Sequence, residues 1–372
     1  MSAIQSESEA DSHPRRVSLF RGYHYPMPVY FDNWACGGFT LLSLDLTSRC
    51  NYDCDWCSNK TVINRPEPDS LSREERVRLI EEASDLGART LVAVGVGEPT
   101  LDPDFYPLVK LAHQRGMITV LYSNITGLMD QDRIQFLFDH DVSIAIKLDS
   151  FNMQHFLARN HTNIAAYYRF LRNFMGILNT YRGSRTVEAR DGICCNIHRV
   201  IGNMVINLEN QVEIEHMVDL CADFEVPLFI RPIRPVDWAE AAPATWRQLG
   251  NSTGTRMPDP TLVEAASRHN TLFAPSATLQ NHCAIYTFGL VLRNNGDVMV
   301  CPDNEKTRGQ FGNVRVRPLH AIAADLKAHR IVKPGYCDML PTLDHTNTVT
   351  KDLAHIAAGV ARQAVAKTDA TL

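Results

Sequence analysis

The stretch Leu46–Asn59 reads LTSRCNYDCDWCSN and holds Cys50, Cys54 and Cys57 in a C-x3-C-x2-C spacing, with Trp56 directly before the third thiol. Three thiolates on so short a loop can reach one site, and soft sulfur ligands suit iron-sulfur clusters. They would bind three irons of a 4Fe-4S cube and leave the fourth iron open, since the stretch has no fourth cysteine. A structural zinc site wants four ligands, and no further Cys or His follows until His113; a disulfide would strand the third thiol.

An open iron has a chemical use. The sulfonium of S-adenosylmethionine (SAM) is hard to reduce in water, and chelating its amino and carboxylate groups to that iron sets the sulfur beside a low-potential electron donor. The motif resembles that of the radical SAM superfamily, C-x3-C-x-aromatic-C, matched by Cys50, Cys54, Trp56 and Cys57. The resemblance implies reductive cleavage of SAM to a 5'-deoxyadenosyl radical that takes a hydrogen atom from the substrate. It also implies a flavodoxin or ferredoxin as reductant.

The elements that must position this loop follow from alternating apolar runs and helical patterns. Strands are expected at 39–46, 90–97, 118–124, 142–149, 194–201 and 228–234, with helices between them, one of them opened by a Ser72/Glu75 capping box. Six such units argue for a parallel sheet, and a partial (β/α)6 TIM-like barrel fits. Chemistry in such barrels sits at the C-terminal ends of the strands. There the sequence places the cysteine loop, the segment Gly95-Val96-Gly97-Glu98-Pro99, Asn124, Lys147 with Asp149, then Asn196, His198 and Arg199, and finally Arg231 and Arg234.

The pentapeptide resembles the family's GGEP motif with Val96 in place of a glycine, and the resemblance assigns contact with the SAM amino group to Gly97 and Glu98. Trp56, Asn124 and Arg199 are read as further cofactor-binding residues, and Lys147 and Arg199 as catalytic ones beside the three cysteines. Lys147 stands where the family more often has a small hydroxyl residue. With Arg199, Arg231 and Arg234 it could meet an anionic substrate such as a phosphate, although solvated or ion-paired residues would look the same. Cys194 and Cys195 are adjacent on one strand and point to opposite faces, so one could give a hydrogen atom to a substrate radical; core packing is the plainer reading. Cys221, and Cys36 in the aromatic and proline-rich stretch Tyr23–Cys36, read as buried core residues.

Downstream, Cys283 and Cys301 flank two short apolar runs about Asn294-Asn295-Gly296-Asp297, a hairpin signal, and Cys337 follows an expected helix at 318–330. This resembles the twitch domain, the shortened SPASM extension that holds an auxiliary 4Fe-4S cluster. Only three cysteines are found for that site. Asp303, Asp338, His345 or Cys36 would be the fourth ligand, or one iron stays open; a zinc hairpin is the alternative. The chain then divides into an irregular segment 1–38, a radical SAM barrel 39–236, a linker 237–275, a twitch-like domain 276–345, and a C-terminal helix and tail 346–372.

The composition agrees with an enzyme body. The 372 residues are 45% hydrophobic and 21% charged, the formal net charge is -5, and no long apolar run or signal-like start occurs. A cytoplasmic protein without nucleic-acid or membrane partners is expected, its ten cysteines in a reducing compartment. Three outcomes are weighed. The first is hydrogen abstraction from a small sugar, nucleoside or nucleotide, with the auxiliary cluster donating sulfur to the substrate or ligating it. The second is dehydrogenation or epimerisation of a sugar or aminocyclitol, with the cluster as electron acceptor. The third is a non-enzymatic iron-sulfur or zinc module.

Overall fold

Strands apolar at nearly every position must be covered on both faces, and the chain meets that demand with a helix-flanked parallel sheet. The computed structural model describes residues 16–57, 59–60, 62–65, 69–127, 130–190, 193–233, 260–269, 288–299 and 309–332. In chain order these form β1 (Arg16–Phe20), α1 (Met27–Ala35), β2 (Leu41–Leu44), α2 (Arg73–Asp85), β3 (Thr90–Ala93), α3 (Phe105–Gln114), β4 (Ile118–Ser123), α4 (Gln131–Asp139) and β5 (Val142–Lys147). There follow α5 (Met153–Asn160), α6 (Ile164–Thr180), β6 (Thr186–Arg190), β7 (Ile193–His198), β8 (Val200–Ile206), α7 (Ile214–Asp223) and β9 (Leu228–Pro232). The last described elements are α8 (Pro260–His269), β10 (Gly289–Leu292), β11 (Val298–Met299) and α9 (Leu319–Val332).

The main sheet runs β11-β10-β2-β3-β4-β5-β8-β9, parallel throughout except for the β10–β11 hairpin. It is a mixed α/β fold consistent with the expected partial barrel. On one face Leu42, Leu44, Leu91, Leu121, Ile144 and Ile146 pack with Leu79 and Ile80 of α2, Leu108 of α3, Leu137 of α4 and Phe174 of α6. On the other, Leu41, Val92, Val120, Ala145 and Ile201 pack against Phe20, Tyr30, Trp34 and Phe288. This split follows from the two-residue period of a strand.

Three expectations change. Residues expected to be irregular form β1 and α1, because Tyr30 stacks on Phe288 at 4.8 Å and Pro28 sits in the first helical turn, where its missing N–H is not needed. Residues 260–269 of the expected linker are helical. The fifth barrel strand is β8, one element later than expected: the run 194–201 is split, and its first part, β7, joins a separate sheet of order β1-β7-β6.

The expected hairpin is present. Its turn has Gly296 at φ +87°, a conformation that favours glycine. Pairing of β10 with β2 makes the hairpin part of the main sheet, and Leu290, Leu292, Leu319, Ile322 and Leu326 share the apolar cluster of the sheet's helix-covered face. Among the described residues no helix is long and apolar enough to cross a membrane.

Candidate active site

The cysteine loop leaves the C-terminal end of β2 and is stitched to its surroundings on three sides. Asn64, in the left-handed region at φ 57°, accepts the Cys50 N–H at 2.8 Å and donates its own to Ser48 O at 2.8 Å. Asp53 and Asp55 donate backbone N–H groups to Asn160 O and Arg159 O, each at 3.2 Å, tying the loop to the end of α5. On the third side Gly97 N–H reaches Thr47 O and Glu98 N–H reaches Arg49 O, both at 2.9 Å. That approach explains a glycine at 97, since a Cβ there would stand 2.2 Å from Arg49 O. Buried Arg76, which the sequence reading missed, holds the loop's first carbonyl, Leu46 O, at 2.8 Å and pairs with Asp102 at 3.1 Å.

Cys54 is buried and Cys50 and Cys57 are half-buried. Burial pushes the Cys50 thiol up to about 12 and the Cys54 thiol up to about 11, and raises Cys57. Cys50 also feels charge on both other sulfurs, so the three lie within electrostatic reach of one another. Such thiols ionise when a cation takes them, which couples metal binding to proton release. Among the described residues no three of His, Cys, Asp and Glu are grouped to grip one metal ion. A cuboidal cluster makes a different demand, spreading its thiolates over three irons, and a set of three soft donors without a carboxylate or imidazole suits it.

Trp56, buried beside Cys57, carries the Lys147 ammonium 4.6 Å from its ring centroid. Lys147 closes β5, forms an ion pair with Asp149, and donates to Asn160 Oδ1 at 3.3 Å; the Cys54 thiol donates to the same oxygen at 3.2 Å. Burial alone would lower the lysine's pKa, but Asp149 and Cys54 outweigh it and the net direction is up. Asp149 is fixed in turn by the Val205 N–H of β8, at 3.0 Å from its Oδ1.

Glu98, expected at this rim, sits beside the cysteine loop with its side chain turned into the protein. Its carboxylate is buried, accepting from Thr100 Oγ1 at 2.6 Å, Thr100 N at 3.2 Å, Ser123 Oγ at 2.7 Å and Asn124 N at 2.8 Å. It is a strut between the ends of β3 and β4, with its oxygens occupied by protein donors. Asn124 continues this network, its amide donating to Asn51 Oδ1 at 2.9 Å and its carbonyl oxygen accepting from Thr126 Oγ1 at 2.7 Å. Asn124 therefore braces the cysteine loop.

Other expected residues lie elsewhere. Arg199 precedes β8 at the opposite end of the sheet, where its guanidinium donates to Phe138 O at 2.8 Å and Val142 O at 3.2 Å and stacks over Phe138 and Tyr181. A catalytic or cofactor-binding place for it at the cysteine loop is thereby overturned. Cys194 and Cys195 pair with Arg16 and Val17 in the small sheet, away from the barrel interior. Cys221 is core, as expected, whereas Cys36 is exposed at the end of α1. Arg231 lies on β9, paired in register with Val205. Cys283, Cys301, Cys337, Arg234, Asp303, Asp338, His345 and the expected C-terminal helix fall outside the described residues.

Comparison with known proteins agrees with this geometry. Residues 44–187 match the family model of the Radical SAM superfamily. A GTP 3',8-cyclase of Staphylococcus haemolyticus is 31% identical over 131 residues, covering 34% of this chain and 38% of that protein. One of Staphylococcus saprophyticus is 30% identical over the same length. The chain thus matches well under half the length of these relatives. In fold, Streptococcus suis SuiB bound to S-adenosylmethionine superposes with a TM-score of 0.56 at 13% identity, over 80% of this chain and 68% of that one. The AdoMet-bound anSMEcpe gives 0.53 at 14% identity, over 78% and 82% of the two chains.

Proposed function

We propose that this chain is a radical SAM enzyme in which Cys50, Cys54 and Cys57 hold a 4Fe-4S cluster through three thiolates and leave one iron for S-adenosylmethionine. The cluster, when bound, supplies the electron that cleaves the sulfonium and so starts hydrogen abstraction from a small-molecule substrate. The chain's own residues position these parts. The supporting observation is the stitching of the three-thiol loop to Gly97 and Glu98 at the C-terminal mouth of a parallel sheet. Gly97 admits close backbone approach, Glu98 and Asn124 fix the loop from behind, and buried Trp56 packs in the core beside Cys57. The test is anaerobic reconstitution followed by assay of 5'-deoxyadenosine from SAM and dithionite. Formation of 5'-deoxyadenosine by a Cys50/Cys54/Cys57 triple Ala variant would refute the assignment.

The finer reading assigns Cys283, Cys301 and Cys337 to a second 4Fe-4S cluster that donates sulfur to, or ligates, a sugar, nucleoside or nucleotide radical. The relatives named GTP 3',8-cyclase support a nucleotide-like substrate. Lys147 and Arg231, at the C-terminal ends of β5 and β9, add cationic residues suited to its phosphates. A flavodoxin or ferredoxin would deliver electrons in the cytoplasm. Iron and acid-labile sulfide analysis decides: about eight irons per chain, falling to about four in the triple Ala variant, means two clusters, whereas about four falling to none removes the auxiliary site. With two clusters present, a single-turnover product carrying sulfur supports donation, and a dehydrogenated product supports the electron-acceptor reading.

A further inference from the structure

We infer that Lys147 and Asp149 together set the reduction potential of the cluster held by Cys50, Cys54 and Cys57, the lysine raising it and the aspartate limiting that rise. This rests on the ligation proposed above and adds a role for two residues that hold no iron.

The geometry is specific. Lys147 Nζ and the Cys54 thiol both lie within hydrogen-bond reach of Asn160 Oδ1, at 3.3 and 3.2 Å, which brings the ammonium close to the sulfur. The thiol proton is given up when the sulfur becomes a ligand, while Asp149 still holds the lysine in place. Asn160 cannot swing away easily, because its amide nitrogen donates to Phe156 O at 3.0 Å. The ammonium also lies over Trp56, the neighbour of Cys57. Lys147 and Asp149 side chains are 25% and 4% exposed, so solvent weakens their field little. Asp149 is anchored through Val205 N–H independently of the lysine.

Adding an electron to the cluster adds negative charge. A fixed cation beside it stabilises the reduced state, and a fixed anion opposes it. The electron comes from an external reductant, and no bond in the protein is made or broken. Charge held by groups outside the ligand set is a recognised way to tune a metal centre.

The test is a redox titration of the reconstituted full chain with dithionite and mediators, without SAM. It follows by EPR the signal that disappears in the Cys50/Cys54/Cys57 triple Ala variant. Lys147→Met should shift the midpoint to more negative potential, Lys147→Arg should stay near the native value, and Asp149→Asn should shift it to more positive potential. Opposite signs support the inference. Unchanged midpoints, or shifts of one sign, overturn it. Should Lys147→Met fail to hold a cluster, the sign of the Asp149→Asn shift decides. A native chain with no such signal overturns the ligation itself, a result distinct from unchanged potentials.

Discussion

Asp45 and Arg293 form an ion pair at 3.3 Å with both side chains shut away from water, one at the end of β2 beside the cysteine loop and the other in the hairpin turn. The second Asp45 oxygen accepts the Val96 N–H at 3.1 Å, so one carboxylate ties the hairpin to the segment that carries Gly97. Removing one partner leaves a buried charge, and Arg293→Met should cost about 3–5 kcal/mol in urea unfolding. A loss within about 0.5 kcal/mol, the range of ordinary surface substitutions, would mean that the pair carries no structural load.

Each of Cys50→Ala, Cys54→Ala and Cys57→Ala should abolish SAM cleavage and strip iron from the loop. Substitution of Cys283, Cys301 or Cys337 should spare 5'-deoxyadenosine formation while stopping product. Equal loss of cleavage in both groups of variants would contradict this division of labour.

Gly97→Ala places a methyl group 2.2 Å from Arg49 O, a backbone atom that cannot swing aside. The two loops must part, breaking the Gly97–Thr47 and Glu98–Arg49 hydrogen bonds. A destabilisation of about 1–3 kcal/mol is expected, together with weaker SAM binding by calorimetry. Native-like affinity in the variant would separate this contact from the cofactor site.

Stability should fall on mild acidification. Burial lowers the pKa of both His24 and His198 from 6.5 to about 4 in the folded chain, in each case with help from a nearby arginine. Between those values the unfolded chain binds the extra protons, so stability is fully present above about pH 6.5 and is lost as pH falls toward 4. By about pH 5 the loss is roughly 2 kcal/mol for each histidine. Urea midpoints from pH 7.5 to 5 check this, and His198→Phe should flatten part of the slope; the native slope persisting in that variant would clear His198.

The cysteine loop was legible because its chemistry is local: three thiols and a tryptophan within eight residues need no knowledge of the fold. Lys147 was found for a similar reason, standing at the end of a clear apolar run. The fifth strand was misplaced because residues 193–206 form one nearly continuous strand-like pattern, and nothing local shows that the pairing partner changes between His198 and Val200. Arg199 went astray with it. The hydrogen-bond network of Glu98 could not be read from the sequence because its four donors come from a turn and a neighbouring strand end. Arg76 gave no signal at all, being one basic residue among several on an amphipathic helix.

The pairing of β10 with β2 sets a constraint on biosynthesis. Strand β2 launches the cysteine loop, yet one of its two neighbours is made roughly 250 residues later. While the ribosome is still extending the chain, β2 remains a bare sheet edge, and Asp45 at its end has no Arg293 to meet. Contacts of such sequence separation form late and leave aggregation-prone edges open meanwhile. The cysteine loop therefore gains its final anchorage only after the hairpin has emerged, so, on the ligation proposed above, delivery of iron and sulfide should be most productive on the completed chain.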